Sequence, residues 1–290
     1  MTELILQALY SGLLQGGSYA LIALGLALVF GTMKVINLAH GELVLLAAYI
    51  AYSVESGLGL GPMFAIPIAL VIVSLTSVGV YLIVSRIKKD REINSLILTY
   101  GIGVILTNVI LLVWKADIRS TSSSWLQEGI EIGPFFSMRS EVIFFGVSLV
   151  LMAALWRWLA TSWYGRAVRA VSSNRDAAKL MGIDPGRTEL VSFLVAGILA
   201  AFAGVALFSY GVIQPAYGGA LTVKAFIITV LAGIGSIPGV LLAAVLLGVA
   251  EALTVTLASS ALQELSGMVL FLLVLFIMPN GLFGAQRRRG

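Results

Sequence analysis

An all-α, polytopic membrane helical bundle of about nine transmembrane helices, within a range of eight to ten, is the fold this sequence predicts. Three observations predict it. The 290 residues are 59% hydrophobic and only 11% charged, against about 25% charged in an ordinary soluble domain, and mean hydropathy is +1.03. Apolar stretches follow one another along the whole chain, most near the roughly 20 residues that a helical crossing needs. The 31 glycines exceed the average usage of about 7% and suit helices that pack backbone to backbone in lipid. Ordinary soluble domains run to roughly 100 residues or more, and no stretch of that size is left over. Residues 1–290 therefore read as a single transmembrane domain.

The apolar runs lie at 4–30, 38–54, 62–85, 93–114, 141–160, 189–213, 220–234, 239–258 and 265–283. The first is expected to stay as a span: Met1-Thr2-Glu3 has no basic n-region and no small-residue cleavage site follows. Gly12, Gly16 and Ala20 recur on it every four residues, as do Ala23, Ala27 and Gly31. Such ladders let helix backbones approach closely, and they also suit a solute path between helices. The fourth and fifth runs are separated by a polar loop, Lys115 to Ser140. The fifth and sixth are separated by the longest charged segment, about 164–188. The seventh, at about 22 Å of helical rise, is short for a crossing; a tilted span and a broken half-helix both fit it.

Basic residues set the expected orientation. Lys34 follows the first run, Arg86, Lys88, Lys89 and Arg91 the third, and Arg166, Arg169, Arg175, Lys179 and Arg187 the fifth, while Arg287, Arg288 and Arg289 close the sequence. With nine crossings all four groups fall on one side, which the positive-inside tendency makes cytoplasmic. The N-terminus is then outside and the C-terminus inside. Glu3, Glu55, Asp117, Glu128, Glu131 and Glu141 fall outside with the Ser122–Ser124 loop.

Composition excludes several chemistries. Without cysteine there are no disulfides, thiolate metal sites or cysteine nucleophiles. A single histidine argues against a zinc or haem site. No cofactor and no metal are expected, and the net charge of +4 reads as basic loops rather than a nucleic-acid surface. The phosphate-binding pattern G-x-x-x-x-G-K-[ST] is missing, so energised transport would need an ion gradient or a separate ATPase.

Polar residues within apolar runs are costly and informative. Asn37 is suited to cap the second helix, leaving His40 and Glu42 in its first turn. Glu42 there is favoured by the helix dipole; alternatively His40 and Glu42 line a polar cavity near the cytoplasmic mouth. Thr99, Tyr100, Thr107 and Asn108 lie on the fourth run. Glu251, deep in the eighth, must be protonated, paired or facing water, and is expected to face a cavity. Lys224 is expected to snorkel to the outer interface and Arg157 to the inner one. The candidate pathway residues are Asn37, His40, Glu42, Thr99, Asn108 and Glu251.

In the 164–188 segment, Ser173 or Asn174 can cap a short helix from Arg175 to Met181, and Gly182 suits the positive φ that stops it. Ala177, Ala178, Leu180 and Met181 stand there among Arg175, Asp176 and Lys179. The helix either lies on lipid or docks in another protein's groove. Two alanines make a poor lipid anchor and a good close-packing face, which favours docking.

The chain resembles the LivH-type permeases of bacterial ABC importers for branched-chain amino acids. The resemblance rests on Gly31 through Glu42, Gly165-Arg166-Ala167-Val168-Arg169-Ala170, Asn174 through Asp184, Tyr217-Gly218-Gly219, Ala225-Phe226 and Gly233-Ile234-Gly235-Ser236. It implies an importer permease in the bacterial inner membrane, not itself an enzyme, paired with a homologous LivM-like second permease. It also implies two cytoplasmic ABC ATPases, which hydrolyse the ATP, and an extracytoplasmic substrate-binding protein. The segment Arg175 to Gly182 then looks like the coupling helix, with Arg175, Ala177, Ala178, Met181 and Gly182 toward the ATPase. Related permeases serve urea, short amides and other small solutes. A proton-coupled carrier using Glu251 or His40 is another class that the residues allow. An intramembrane enzyme using His40 and Glu42 would need a nucleophile, for which no candidate stands nearby.

Overall fold

The computed structural model describes residues 1–87, 89–233 and 235–283. Lys88, Ile234 and the terminal Arg287–Arg289, which entered the reading of orientation and family above, lie outside the described residues. In chain order the helices are α1 (Thr2–Met33), α2 (His40–Leu58), α3 (Ile66–Val84, entered through the 3-10 turn Pro62–Ala65) and α4 (Arg91–Trp114). A short strand β1 (Arg119–Ser120), helix α5 (Ser124–Gln127) and strands β2 (Gly129–Ile132) and β3 (Phe135–Met138) follow. Then come α6 (Arg139–Thr161), α7 (Trp163–Ser173), α8 (Arg175–Leu180) and α9 (Pro185–Tyr210). Strand β4 (Val212–Ile213), α10 (Tyr217–Ala232), α11 (Ile237–Leu257) and α12 (Gln263–Ile277) complete the fold.

Seven helices among the described residues are long and apolar enough to cross a membrane: α1, α3, α4, α6, α9, α11 and α12, with the turns that lead into α3 and α12 included. The remaining two apolar runs form α2 and α10, both packed against α1 and against α9 or α11. Every residue of α2 from His40 to Ala51 is buried, and its three charged or ionisable residues lower its hydropathy below that of a lipid-facing span. Helix α10 has 16 residues, about 24 Å of rise against roughly 30 Å of hydrocarbon.

The helices form an inner and an outer set. Helix α1 is the axis: every residue from Gly16 to Val29 is buried, the pattern of a helix enclosed on all sides. The first glycine ladder is where it meets α11. A Cβ on Gly12 would lie 2.6 Å from the Val249 Cα, and one on Gly16 would lie 2.5 Å from the Val245 Cα. Helix α9 lies against α2 and α3 in the same manner, with Gly204 against the Val44 carbonyl and Gly197 against Ser74. By contrast α4 buries only Ser95, Thr99, Gly103 and Ile110, and α12 only Gly267. Each of these offers one stripe to the bundle and an apolar face to its surroundings.

Helices α2 and α10 both start inside the bundle. The chain leaves α1 at Met33 and runs back alongside it, so that the His40 ring reaches the Ile22 carbonyl (2.9 Å) near the middle of α1. Helix α10 starts beside it: the Gly41 N–H donates to the Thr222 Oγ1 at 2.8 Å, and a Cβ on Gly218 would strike the Glu42 carboxylate. The seventh apolar run thus falls in a short helix, α10 (Tyr217–Ala232), that begins within the bundle, as discontinuous helices do where a chain surrounds a binding region.

The segment 115–140, expected as a plain loop, carries structure. Strands β2 and β3 pair antiparallel from Gly129↔Met138 to Ile132↔Phe135, and β1 pairs with β4. The hairpin covers the start of α1, where Tyr10 stacks on Phe135 at 4.9 Å and the Gln7 Nε2 donates to the Phe136 carbonyl at 2.7 Å.

Candidate functional site

Four of the sequence-predicted polar residues meet where α2 begins. The Asn37 Oδ1 accepts from the Ala39 N–H at 3.1 Å, and the Leu38 N–H donates to the Thr99 Oγ1 at 3.1 Å. His40 Nε2 donates to the Ile22 carbonyl. These bonds satisfy backbone groups of an irregular, largely buried segment, as a membrane interior demands. Two expectations need correction. Ala39, not Asn37, is the N-cap of α2, and it has no side-chain cap bond; the Asn37 side chain holds the preceding turn instead. His40 and Glu42 are in the first turn as expected, but at 1% and 6% exposure they are packed inside the bundle rather than lining a cytoplasmic mouth. Glu42 Oε2 is buried without a hydrogen-bond partner among the described residues. Asn108 is not part of this group: it is exposed on α4, its amide donating to the Val104 carbonyl one turn back at 2.7 Å.

Glu251 anchors a second, separate cluster. Its Oε2 accepts from the Tyr19 hydroxyl at 2.6 Å, the Lys224 ammonium at 3.0 Å and the Gln263 amide at 2.9 Å. Lys224 also donates to the Tyr19 oxygen at 2.7 Å, and so does the Gln15 amide, also at 2.7 Å. Four helices, α1, α10, α11 and α12, are tied together by one carboxylate. Lys224 is therefore not an interfacial anchor: its side chain is 18% exposed and pairs inward. The sequence does carry the signal, since a lone lysine in one apolar run and a lone carboxylate in another are each too costly unpaired. Arg157 is exposed on α6. Tyr19, Gln15 and Gln263 were not singled out from sequence, because a lone tyrosine or glutamine in or beside an apolar run is unremarkable until its partner is known.

At the opposite end of α9 lies the 164–188 segment. Helix α7 was not anticipated; it turns back beneath α6 so tightly that a Cβ on Gly165 would strike the Leu159 carbonyl oxygen. Its buried Ala167, Val168 and Val171 alternate with exposed Arg166 and Arg169 at helical spacing, a pattern hidden by the charge of the segment. Helix α8 has the expected ends. The Asn174 Oδ1 accepts from the Asp176 and Ala177 N–H groups at 3.1 and 2.9 Å, and Gly182 takes φ +80°. Its face differs from expectation: Ala178 is turned inward and buried, whereas Ala177, Met181 and Leu180, the last outside the expected ATPase-facing set, are exposed, Met181 and Leu180 at 81% and 89%.

Glu189, on the first turns of α9 and 1% exposed, holds α8 in place. Arg91 gives it two bonds, at 3.0 and 2.8 Å, and the Arg175 Nε a third at 2.9 Å. That contact pushes the Arg175 guanidinium above its ordinary range, chiefly through the hydrogen bond. The Tyr81 hydroxyl adds a bond to the Gly186 carbonyl at 2.7 Å. Helices α3, α4, α8 and α9 thereby converge under an exposed apolar face.

Residues 8–278 match the family model described as branched-chain amino acid transport system / permease component. The high-affinity branched-chain amino acid transport system permease protein LivH of Salmonella typhimurium is 31% identical over 96% of this chain and 95% of its own. LivH of Escherichia coli and BraD of Pseudomonas aeruginosa show the same identity and coverage. No solved structure matches the chain.

Proposed function

Since the chain belongs to the family of branched-chain amino acid transport permeases, we propose that it is the membrane permease subunit of an ATP-driven importer that carries branched-chain amino acids into the cell. The relatives' substrate supports the solute class, and the family's helices support a multi-pass place in the membrane. The reading extends to a plasma-membrane chain with its N-terminus outside, its C-terminus inside, and α8 in the cytoplasm as the coupling helix. A homologous LivM-like permease, two ABC ATPases and an extracytoplasmic binding protein complete the assembly.

One observation supports the ATPase contact above the rest. Helix α8 presents Ala177, Leu180 and Met181 to water, yet it is fixed by Asn174 and by the Arg175–Glu189 pair. Exposed apolar side chains on a rigid support mark an interaction site. Residues Asn37, His40, Glu42 and Thr99 hold the inner helices around which a solute would pass, and Glu251 belongs to the pathway through its cavity-facing cluster. The test is reconstitution of the chain with a LivM-like permease, two ABC ATPases and a substrate-binding protein. ATP-dependent accumulation of labelled leucine is expected, abolished when the ATPases are omitted. Accumulation that persists without ATPase and collapses with an uncoupler would overturn the importer reading in favour of a proton-coupled carrier.

A further inference from the structure

Beside the Lys224–Glu251 pair, at the end of the bundle away from α8, lies an open-mouthed cavity of about 310 Å³ lined by α1, α9, α10 and the start of α12. Pockets that hold small molecules begin at roughly this size. Its polar wall carries Tyr19, Lys224, Gln263 and Glu264, and its apolar wall carries Ile22, Leu207 and Leu221. Tyr19 and Glu251 take two of the three donors of the Lys224 ammonium, leaving one. Glu264 is exposed in the first turn of α12 and forms no ion pair among the described residues.

We propose that this cavity is a subsite for a zwitterionic amino acid with an aliphatic side chain, held by Lys224 at its carboxylate and Glu264 at its ammonium. The assignment rests on the importer reading and gives it a location within this chain. Three features single out that ligand class. Among the described residues, Lys224 keeps one ammonium donor free and Glu264 stands unpaired on the same cavity, so a molecule that carries both a carboxylate and an ammonium meets both groups. Ile22, Leu207 and Leu221 offer surface to a branched aliphatic group, which urea and short amides do not carry. Finally, the ion pair is a poor staple. Two apolar residues of similar size would hold α10 to α11 as well or better, and ionisable groups placed at depth in a membrane protein mark solute routes.

The test uses the full chain in lipid nanodiscs, with tritiated L-leucine as probe and two leucine analogues as competitors: isocaproate, which lacks the ammonium, and isoamylamine, which lacks the carboxylate. Saturable leucine binding is expected, with each analogue competing at least about tenfold more weakly, the loss of one charge-assisted hydrogen bond. Glu264→Gln, at an exposed position that does not endanger the fold, should weaken leucine about tenfold and bring isocaproate level with leucine. Glu264→Asp should restore the preference for the ammonium. A purely structural role for these side chains would leave the order of competitors unchanged. The proposal falls if leucine shows no saturable binding, or if Glu264→Gln keeps both the affinity and the competitor order. ATP-driven leucine uptake by the reconstituted assembly, measured in parallel, separates the two readings. Normal uptake with no effect of Glu264→Gln on binding sinks the subsite alone. Charge-selective binding without ATP-driven uptake supports the subsite and sinks the importer.

Discussion

Two carboxylates, Glu189 and Glu251, are each 1% exposed and each hold cationic partners from other helices, yet their surroundings differ. The partners of Glu189 reach in from the solvent end of the bundle: the Arg91 and Arg175 side chains are 20% and 51% exposed. Lys224 reaches Glu251 from within the bundle, at 18% exposure, beside Tyr19 and Gln263. Planar guanidinium groups with several donors suit the first site, where helices must be held at fixed angles. A single ammonium with a donor to spare suits the second, where a cavity adjoins. The same residue type thus braces the exposed helix α8 at one end and holds a cavity-lining lysine at the other.

Removing each carboxylate is the sharpest way to break this comparison. Glu251→Leu leaves the largely enclosed Lys224 ammonium with only the Tyr19 oxygen, and should cost about 3 kcal/mol, at the low end for uncompensated buried charges. Loss of monodisperse protein in detergent, or a melting temperature lowered by many degrees, is the expected result. The double variant Lys224→Met/Glu251→Leu removes both charges at similar volume and should recover most of that stability. Glu189→Leu should cost less, because Arg175, half exposed, can turn to water. Equal melting temperatures for Glu251→Leu and Glu189→Leu would show that the two sites do not differ as described.

At the α8 end the expected effect is on association rather than stability. Ala177→Asp puts a charge on an exposed position, so the isolated chain should insert and melt as before. In the assembly that charge would be desolvated without a partner, at a cost of a few kcal/mol, and ATPase retention and uptake should fall together by more than tenfold. Ala178→Asp is the contrast: the buried position should destabilise the chain itself. Copurified ATPase per permease, quantified alongside the melt, reads both. Full retention and normal uptake for Ala177→Asp would point to a helix that lies on lipid.

Much of the architecture was legible in the sequence, and the exceptions share a cause. The runs at 93–114, 141–160 and 239–258 became Arg91–Trp114, Arg139–Thr161 and Ile237–Leu257, because in lipid a long apolar segment has no alternative to helix. Hydropathy measures length but not depth, so it could not reveal that α2 and α10 start alongside the middle of α1. It could not pair Lys224 with Glu251 either, since the two are brought together only by tertiary packing. Helix α8 was readable from Asn174 and Gly182, whose local geometry dictates its ends. Which of its alanines faces outward depends on α9, and the sequence does not say how the two helices meet.

The smallest expected effect belongs to Asn108, and it is the most direct check on which polar residues matter. Asparagine in an apolar run suggests a solute path, but this amide is occupied by the Val104 carbonyl in its own helix and faces away from both clusters. Asn108→Leu gives up one hydrogen bond made within the helix and gains apolar surface on an exposed face, so stability should change by less than about 0.5 kcal/mol. Leucine uptake should stay within twofold, where changes in the Glu251 cluster reduce it severely. The uptake assay with membrane-level protein quantified by immunoblot distinguishes these cases. A tenfold loss at normal protein level would mean that the outer face of α4 contacts the solute or a second chain in the working assembly. The pathway would then lie between subunits as well as beside Lys224 and Glu251.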